Sequence, residues 1–253
     1  MTRRRFYAPP NAFSPNRSLV QLEADEARHL RDVLRLQSGD QVNLFDGEGR
    51  EFDCKINHLR RDYAELTILA EVEPAKPESQ LDLTLGIALL KGEKFDLVVQ
   101  KATELGVVRI VPLMTQRADV RLREEKNAEK RVTRWQRIAQ EAAKQSGRAT
   151  VPEVTEPSSF AAFVKEDFDG LRIMFSERDG QTLNEAVEES QSVLAVMAVI
   201  VLVGSEGGWT DEELVLARDG GWKIVTLGGR ILRAETAGIV VTALLQNLLG
   251  DLR

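Results

Sequence analysis

The chain has 253 residues, 43% hydrophobic and 29% charged, with 34 Lys and Arg against 40 Asp and Glu for a net charge of −6. That composition fits a folded protein of one or two domains and excludes a disordered tail, a collagenous repeat and a generic nucleic-acid coat. The longest apolar run, Val193–Val203, falls short of the ~20 residues a membrane-spanning helix needs. Arg3, Arg4 and Arg5 are followed by Phe6-Tyr7-Ala8-Pro9-Pro10 instead of an apolar core segment, so no signal peptide is expected. The one cysteine, Cys54, leaves no internal disulfide and suits a cytoplasmic protein. With only His29 and His58 beside it, no metal is expected.

In chain order, short strand-like runs come first: Ser18–Leu22, Gln41–Asp46, Glu51–Asn57 and Tyr63–Val72, with a helix over Glu23–Leu36 and a turn at Asp46-Gly47. They predict a small, mostly β domain, a barrel, over residues 1–72. Glu71–Gln80 carries two prolines and no hydrophobic period, and reads as a linker. Beyond it strands and helices alternate over residues 80–253. Leu81–Leu90 is a strand. Phe95, Val98, Val99, Ala102 and Leu105 keep helical spacing, with Gly106 just past the helix end. Val107–Met114 is the next strand, and Val132, Trp135, Ile138, Ala139, Ala142 and Ala143 mark one face of a longer helix. Leu171–Ser176 and Val193–Val203 are strands, the second apolar throughout as a parallel strand covered on both faces should be. Thr210 with Glu213 forms a capping box, Trp222–Leu227 is the last strand and Glu235–Leu249 the last helix. The alternation predicts an α/β fold with right-handed crossovers.

Charge is unevenly spread. Residues 117–148 hold ten basic against five acidic side chains, while 149–253 hold eight against seventeen. A basic segment inside an acidic chain is either a solvated helix with i,i+4 pairs or a face for a polyanion. Arginines recur near both 3–5 and 117–148, which favours RNA.

Two loops stand out as chemistry-bearing. Gly204-Ser205-Glu206-Gly207-Gly208 follows the apolar strand, and Leu227-Gly228-Gly229-Arg230-Ile231-Leu232-Arg233-Ala234-Glu235-Thr236 joins the last strand to the last helix. Both lie at carboxyl ends of strands, where open α/β sheets bind ligands. Dense glycine lets backbone approach a ligand closely. Neither loop is a Rossmann fingerprint or a P-loop, and no serine elbow exists. Cys54 reads as packing, and His29 stays outside the active site.

The residues resemble a family: the 16S ribosomal RNA (uracil-N3)-methyltransferases, members of the SPOUT class of S-adenosylmethionine-dependent enzymes. The resemblance is carried by Arg5-Phe6-Tyr7, His29–Arg35 with Gly39-Asp40, Phe45-Asp46-Gly47, Lys91-Gly92-Glu93-Lys94, Gln100–Val107, Gln145-Ser146-Gly147-Arg148 with Pro152, both loops, and Gly250-Asp251-Leu252. The family usually carries Pro where Ser205 stands, so a looser first loop is expected. The resemblance implies a PUA-like β-barrel at 1–72 in an RNA-binding role and a SPOUT domain at 80–253. That domain would have a C-terminal trefoil knot, S-adenosylmethionine as cofactor and a homodimer as active form. The last helix, with Ile239, Val240, Ala243, Leu244 and Leu248, offers apolar surface for a second chain.

The implied cofactor set is Leu202, Gly204, Ser205, Glu206, Gly207, Gly208, Leu227, Gly228, Ile231, Leu232, Arg233, Glu235 and Thr236. Arg233, ahead of Arg230, is the expected contact to the developing uracil anion, with Glu206 beside it as the second catalytic candidate. Arg5, Arg35, Arg131, Arg134 and Arg148 are the expected RNA-binding residues. The implied partner is 16S rRNA or the small ribosomal subunit. The alternatives are a SPOUT methyltransferase acting at another RNA position, or a ribosome-assembly RNA-binding module without catalysis.

Overall fold

The structure, a computed structural model, describes residues 4–118, 120, 125–191 and 197–252. The chain forms two compact units. The first comprises Met1–Glu78 together with Gln140–Val151, so a stretch expected in the second domain belongs to the first.

The first unit holds β1 (Arg5–Tyr7), β2 (Leu19–Glu23), α1 (Ala24–Arg28, continued by a π-helical turn His29–Val33), β3 (Gln41–Phe45), β4 (Glu51–Leu59) and β5 (Tyr63–Val72). They make a five-stranded mixed sheet in the order β1-β3-β4-β5-β2. β1 runs parallel to β3 and the other pairs are antiparallel. Period-2 alternation sends Val20 and Leu22 inward, where they join Phe6, Leu30, Leu44, Ile56 and Leu66 in one core. Cys54 is part of that core, as expected, and burial pushes its thiol up to about 12. β1 is not legible as a strand in the sequence. Its Arg5 points away from the core that Phe6 enters, and Phe45, Ala143 and Ala149 pack as a small second cluster with Tyr7 and Val151.

The second unit comprises Ser79–Ala139 and Pro152–Arg253. Its elements are β6 (Asp82–Ala88), α2 (Lys94–Glu104), β7 (Arg109–Met114), α3 (Glu125–Ser146, whose end lies in the first unit), β8 (Glu153–Val154), β9 (Ser158–Ser159), α4 (Phe160–Phe163), β10 (Leu171–Phe175), α5 (Leu183–Gln191), β11 (Ala198–Val203), α6 (Asp211–Asp219), β12 (Lys223–Val225) and α7 (Ala234–Leu249). The seven strands are all parallel, ordered β12-β10-β11-β6-β7-β8 with β9 on β7. β11 sits between β10 and β6, and Val199–Val203 are all buried, which is why that run carries no polar residue. The expected strand over Val193–Val203 is shorter, and residues 192–196 lie outside the described residues. Gly106 ends α2 at φ +86°, and the capping box forms: Glu213 N–H donates to Thr210 Oγ1 at 3.2 Å while Thr210 N–H donates to Glu213 Oε2 at 2.9 Å. α7 packs on α2 and over β6 and β11. Because β10, β11 and β12 are adjacent and parallel, their carboxyl ends deliver three loops to one place. Among the described residues no helix is long and apolar enough to cross a membrane.

Candidate functional site

Those three loops enclose a cavity of about 360 Å³, within the size range of small-molecule sites. Its walls are Phe175–Arg178 after β10, Val203–Glu206 with Gly208 and Trp209 after β11, and the run Thr226–Ala234 after β12, closed by Ala237 and Val241 of α7. Trp209 supplies the floor: it is buried, its Nε1–H donates to Phe175 O at 2.8 Å, and a Cβ on Gly204 would lie 3.1 Å from its ring. Only glycine lets the first loop lie flat on that indole. In the second loop Gly228 and Gly229 adopt φ +65° and +69°, and a Cβ on either would meet no atom within 4 Å. The loop needs left-handed backbone there, not space.

Of the expected cofactor residues, Gly204, Ser205, Glu206, Gly208, Leu227, Gly228, Ile231, Leu232 and Arg233 share this lining. Four do not, and each has a local reason. Leu202 points to the opposite face of β11, into the cluster with Phe160, Phe163 and Leu214, because adjacent strand residues alternate. Gly207 turns outward, its carbonyl accepting from Arg117 Nη1 at 3.0 Å and its Cβ position 2.9 Å from Arg117 Cβ. Glu235 and Thr236 sit one step into α7. Glu235 is turned to Lys94 Nζ at 3.5 Å.

Lys94, at the first position of α2, lies in one of the segments that carry the resemblance but is not among the expected site residues. Its ammonium is hydrogen-bonded to Glu206 as well, so it bridges a cavity-lining carboxylate to the first turn of α7. The bond to Glu206 holds its pKa above the usual lysine range. Arg178 is a second residue outside the expected site set. Its guanidinium donates to Asp211 Oδ1 at 2.9 Å and to Trp209 O at 2.6 Å, pinning the loop after β10 to the start of α6. Applying the strand carboxyl-end rule to β6 and β10, as to β11 and β12, would have found both.

Arg233 is the residue before the first turn of α7, exposed at the cavity wall, its guanidinium making no hydrogen bond or ion pair among the described residues. Arg230 is likewise exposed and lines the cavity. The other arginines divide. Arg131 and Arg134 are exposed on α3, Arg134 pairing with Asp96, which also accepts from Trp135 Nε1 at 3.1 Å. Arg35 is exposed at φ +54°, just past the π-helical turn. Arg5 and Arg148 are corrections. Arg5 is 8% exposed, donates to Glu51 Oε2 at 3.1 Å and to the carbonyls of Ala143, Lys144 and Arg148, and stacks over the Phe45 ring. Arg148 is 5% exposed and paired with Glu78 at 2.8 Å. Both hold the first unit together and are not presented to a phosphate. Of the remaining basic residues singled out, Arg3, Arg121 and Arg123 lie outside the described residues. Among the described residues no three His, Cys, Asp or Glu side chains are grouped as a metal ion would require.

The chain thus joins a parallel α/β sheet with a glycine-walled cavity at its carboxyl edge to a small mixed-sheet unit. The family described as RNA methyltransferase domain matches residues 77–246, and the RNA methyltransferase PUA domain matches 22–69. A ribosomal RNA small subunit methyltransferase E from Synechocystis sp. is 36% identical over 232 residues, covering 91% of this chain and 73% of its own. The crystal structure of the corresponding enzyme from Neisseria gonorrhoeae, bound to S-adenosylmethionine, matches with a TM-score of 0.86 and 34% identity over 100% of both chains. A methyltransferase from Legionella pneumophila in complex with the same cofactor matches with a TM-score of 0.86 and 31% identity, covering 99% of this chain and 100% of its own. The chain belongs to the ribosomal RNA small subunit methyltransferase E family: it is an S-adenosylmethionine-dependent RNA methyltransferase of SPOUT-type α/β fold with a PUA domain.

The cavity fits that cofactor on its own chemistry. Phe175, Val203, Leu227 and Leu232 give an apolar wall, and Glu177 gives a carboxylate that suits a cationic group, Glu206 already being bonded to Lys94. The buried Ser205 Oγ has no hydrogen-bond partner among the described residues, and a polar ligand can satisfy it.

Proposed function

We propose that this protein uses S-adenosylmethionine to methylate N3 of one uridine in 16S ribosomal RNA. The observation that carries the reading is the position of Arg233, a guanidinium without a partner among the described residues on the wall of the cavity. Bound there, S-adenosylmethionine would supply an electrophilic methyl group, the bond from N3 to that methyl forming as its bond to the sulfonium sulfur breaks and a neutral thioether leaves. The chain's own part is positional and electrostatic. The loops after β10, β11 and β12 fix the geometry of an in-line transfer. In this reading Arg233, on the cavity wall, donates to a uracil carbonyl oxygen and so favours the anion formed when the N3 proton passes to solvent. The target base must stand outside its stack to reach the site, at a cost of a few kcal/mol.

The first unit, with Arg35, and the exposed Arg131 and Arg134 of α3 supply the RNA contacts in this reading, through phosphates. The cytoplasm, where ribosomal RNA is modified, is the matching compartment, and no step calls for a metal. The proposal extends to a C-terminal trefoil knot, supported by α7 returning from the edge strand β12 to pack on α2, across β6 and β11. It also extends to a homodimer, supported by Leu244 (37% exposed) and Leu248 (40% exposed), apolar side chains one turn apart on α7. Light scattering that gives a monomer mass in active solutions overturns the dimer. For the reaction, the test is primer extension on treated small subunits, since a methyl on N3 blocks the pairing edge and stops reverse transcriptase. Arg233→Ala should slow single-turnover methyl transfer far more than it weakens RNA binding. Arg131→Ala or Arg134→Ala should weaken binding and reduce its salt slope by about one for each phosphate no longer neutralised. Wild-type transfer by Arg233→Ala, or a stop at no uridine, sinks the mechanism.

A further inference from the structure

Ser205 is 8% exposed, sits between Gly204 and Glu206 on the cavity wall, and keeps its own carbonyl engaged by Gly208 N–H at 2.9 Å. Its backbone is therefore part of a closed turn. Its hydroxyl is not part of anything: Oγ is buried and has no hydrogen-bond partner among the described residues. A buried hydroxyl left in that state is destabilising, because folding strips its water and returns no bond. The neighbouring groups are engaged elsewhere. Glycine precedes it, the Trp209 ring lies against that glycine, and the indole N–H is already committed to Phe175 O. Glu206, the next side chain, is turned to Lys94. Ser205 lines the cavity, and a step between staggered χ1 wells is enough to turn a serine hydroxyl into it.

We infer that the Ser205 hydroxyl is a cofactor-specificity group: it turns into the cavity and hydrogen-bonds a polar group of bound S-adenosylmethionine, which completes the wall that the free protein leaves unsatisfied. The inference rests on the cofactor occupying this cavity, and it assigns a role to a side chain rather than to the loop backbone. A hydroxyl both donates and accepts, so it serves either a carboxylate or ring nitrogen of the ligand or one of its N–H groups. The consequence has an unusual sign. A residue that merely packs stabilises the free protein, and its truncation lowers free and bound states together. Ser205 is different: Ser205→Ala removes an unsatisfied polar atom and leaves the free protein unchanged or more stable, while the bound complex loses a bond.

The test is a pair of measurements on the full-length protein. Thermal unfolding without cofactor gives the first sign, and calorimetric affinity for S-adenosylmethionine gives the second. For Ser205→Ala the expected result is a melting temperature at or above wild type, with affinity weaker by roughly 5- to 100-fold, the worth of one hydrogen bond whose partner is left buried. Ser205→Cys keeps the side-chain shape, slightly enlarged, with a much poorer donor and should show the same loss. Titrating adenosine as a second probe locates the bond. A matching loss assigns it to the nucleoside, and a loss seen only with the whole cofactor assigns it to the amino-acid part. Affinity within two-fold of wild type in both variants overturns the inference, as does a melting temperature that falls together with affinity. If the folded wild type itself fails to bind S-adenosylmethionine, the cofactor reading fails first, which the wild-type titration reports separately.

Discussion

Replacing Gly228 separates backbone conformation from bulk in the cofactor cavity. Gly228 sits at φ +65°, and a Cβ there would meet nothing within 4 Å, so Gly228→Ala adds no clash. What it adds is left-handed strain, about 1–2 kcal/mol for an L-residue, and a β-branched Val adds more. Where that strain is felt depends on whether the loop is held. If the free loop relaxes, stability is unchanged and the whole penalty falls on the bound state, a loss in affinity of about 5- to 30-fold at 1.4 kcal/mol per decade. If the loop cannot relax, the same free energy leaves the folded protein instead. Gly207→Ala is the contrasting variant. Its Cβ would lie 2.9 Å from Arg117 Cβ and 3.1 Å from Arg117 O, off the cavity, so its first effect is on stability. Calorimetric titration with S-adenosylmethionine beside thermal unfolding reads both axes. Gly228→Val with wild-type affinity and wild-type stability together would refute the reasoning, because the strain would then have gone nowhere.

Two further outcomes follow from the first unit. Arg5→Met removes the cation paired with the fully buried Glu51 carboxylate, which still accepts from Ala75 N–H at 2.9 Å, and should lower stability by about 3–5 kcal/mol, read by urea unfolding, while leaving the salt dependence of RNA binding unaltered; a changed salt slope at unchanged stability would restore Arg5 as an RNA contact. Cys54, with its thiol raised from 9.0 to about 12 by burial, favours the neutral form in the folded state, so its contribution is complete below pH 9 and is lost as pH rises toward 12. Alkylation at about pH 8, below the ordinary thiol range, should therefore proceed only as fast as the unit opens, and rapid labelling of native protein there contradicts that burial.

Which parts are legible follows from the physics of each signal. β11 and the loop after it announce themselves, since a strand covered on both faces is apolar throughout and the loop needs glycine twice, against the Trp209 ring at Gly204 and for left-handed backbone at Gly208, φ +66°. The capping box at Thr210 is local chemistry, and local chemistry reads well from sequence. α4 and α5 are not legible: Phe160–Phe163 spans one turn and Leu183–Gln191 nine residues, too short for a helical period to stand out. Leu202 is misplaced when a strand end is treated as one surface, because its residues alternate between two. Arg5 and Arg148 are misassigned for a deeper reason. A basic residue reads as solvated or as ligand-binding unless its partner is known, and the partners here lie far along the chain: Glu51, Glu78 and the carbonyls near 143–148. Only the fold brings them together.

The two glycine-rich walls of the cavity are held very differently, and that difference predicts which one moves. The wall after β11 is tied from outside at three points: Glu206 to Lys94, Gly207 O to Arg117 at 3.0 Å, and Trp209 O to Arg178 at 2.6 Å. In the wall after β12 the only hydrogen bond within 227–232, among the described residues, is Gly228 N–H to Thr226 Oγ1 at 3.3 Å, and Ile231 is 81% exposed. Only its two ends are fixed, upstream where Thr226 N–H donates to Gln181 O at 3.0 Å and downstream where Glu235 reaches Lys94. Few bonds and little buried surface place a segment at the low end of local stability. Ligand at about 100 times its Kd contributes roughly 2.7 kcal/mol to whatever must be closed to hold it. Hydrogen exchange with and without S-adenosylmethionine should therefore slow at the 228–232 amides by up to about 100-fold, and by much less at 205–208, where the wall is already closed in the free protein. Equal slowing in both loops, or a larger change at 205–208, would mean that the ties through Lys94, Arg117 and Arg178 do not set the order in which the site assembles.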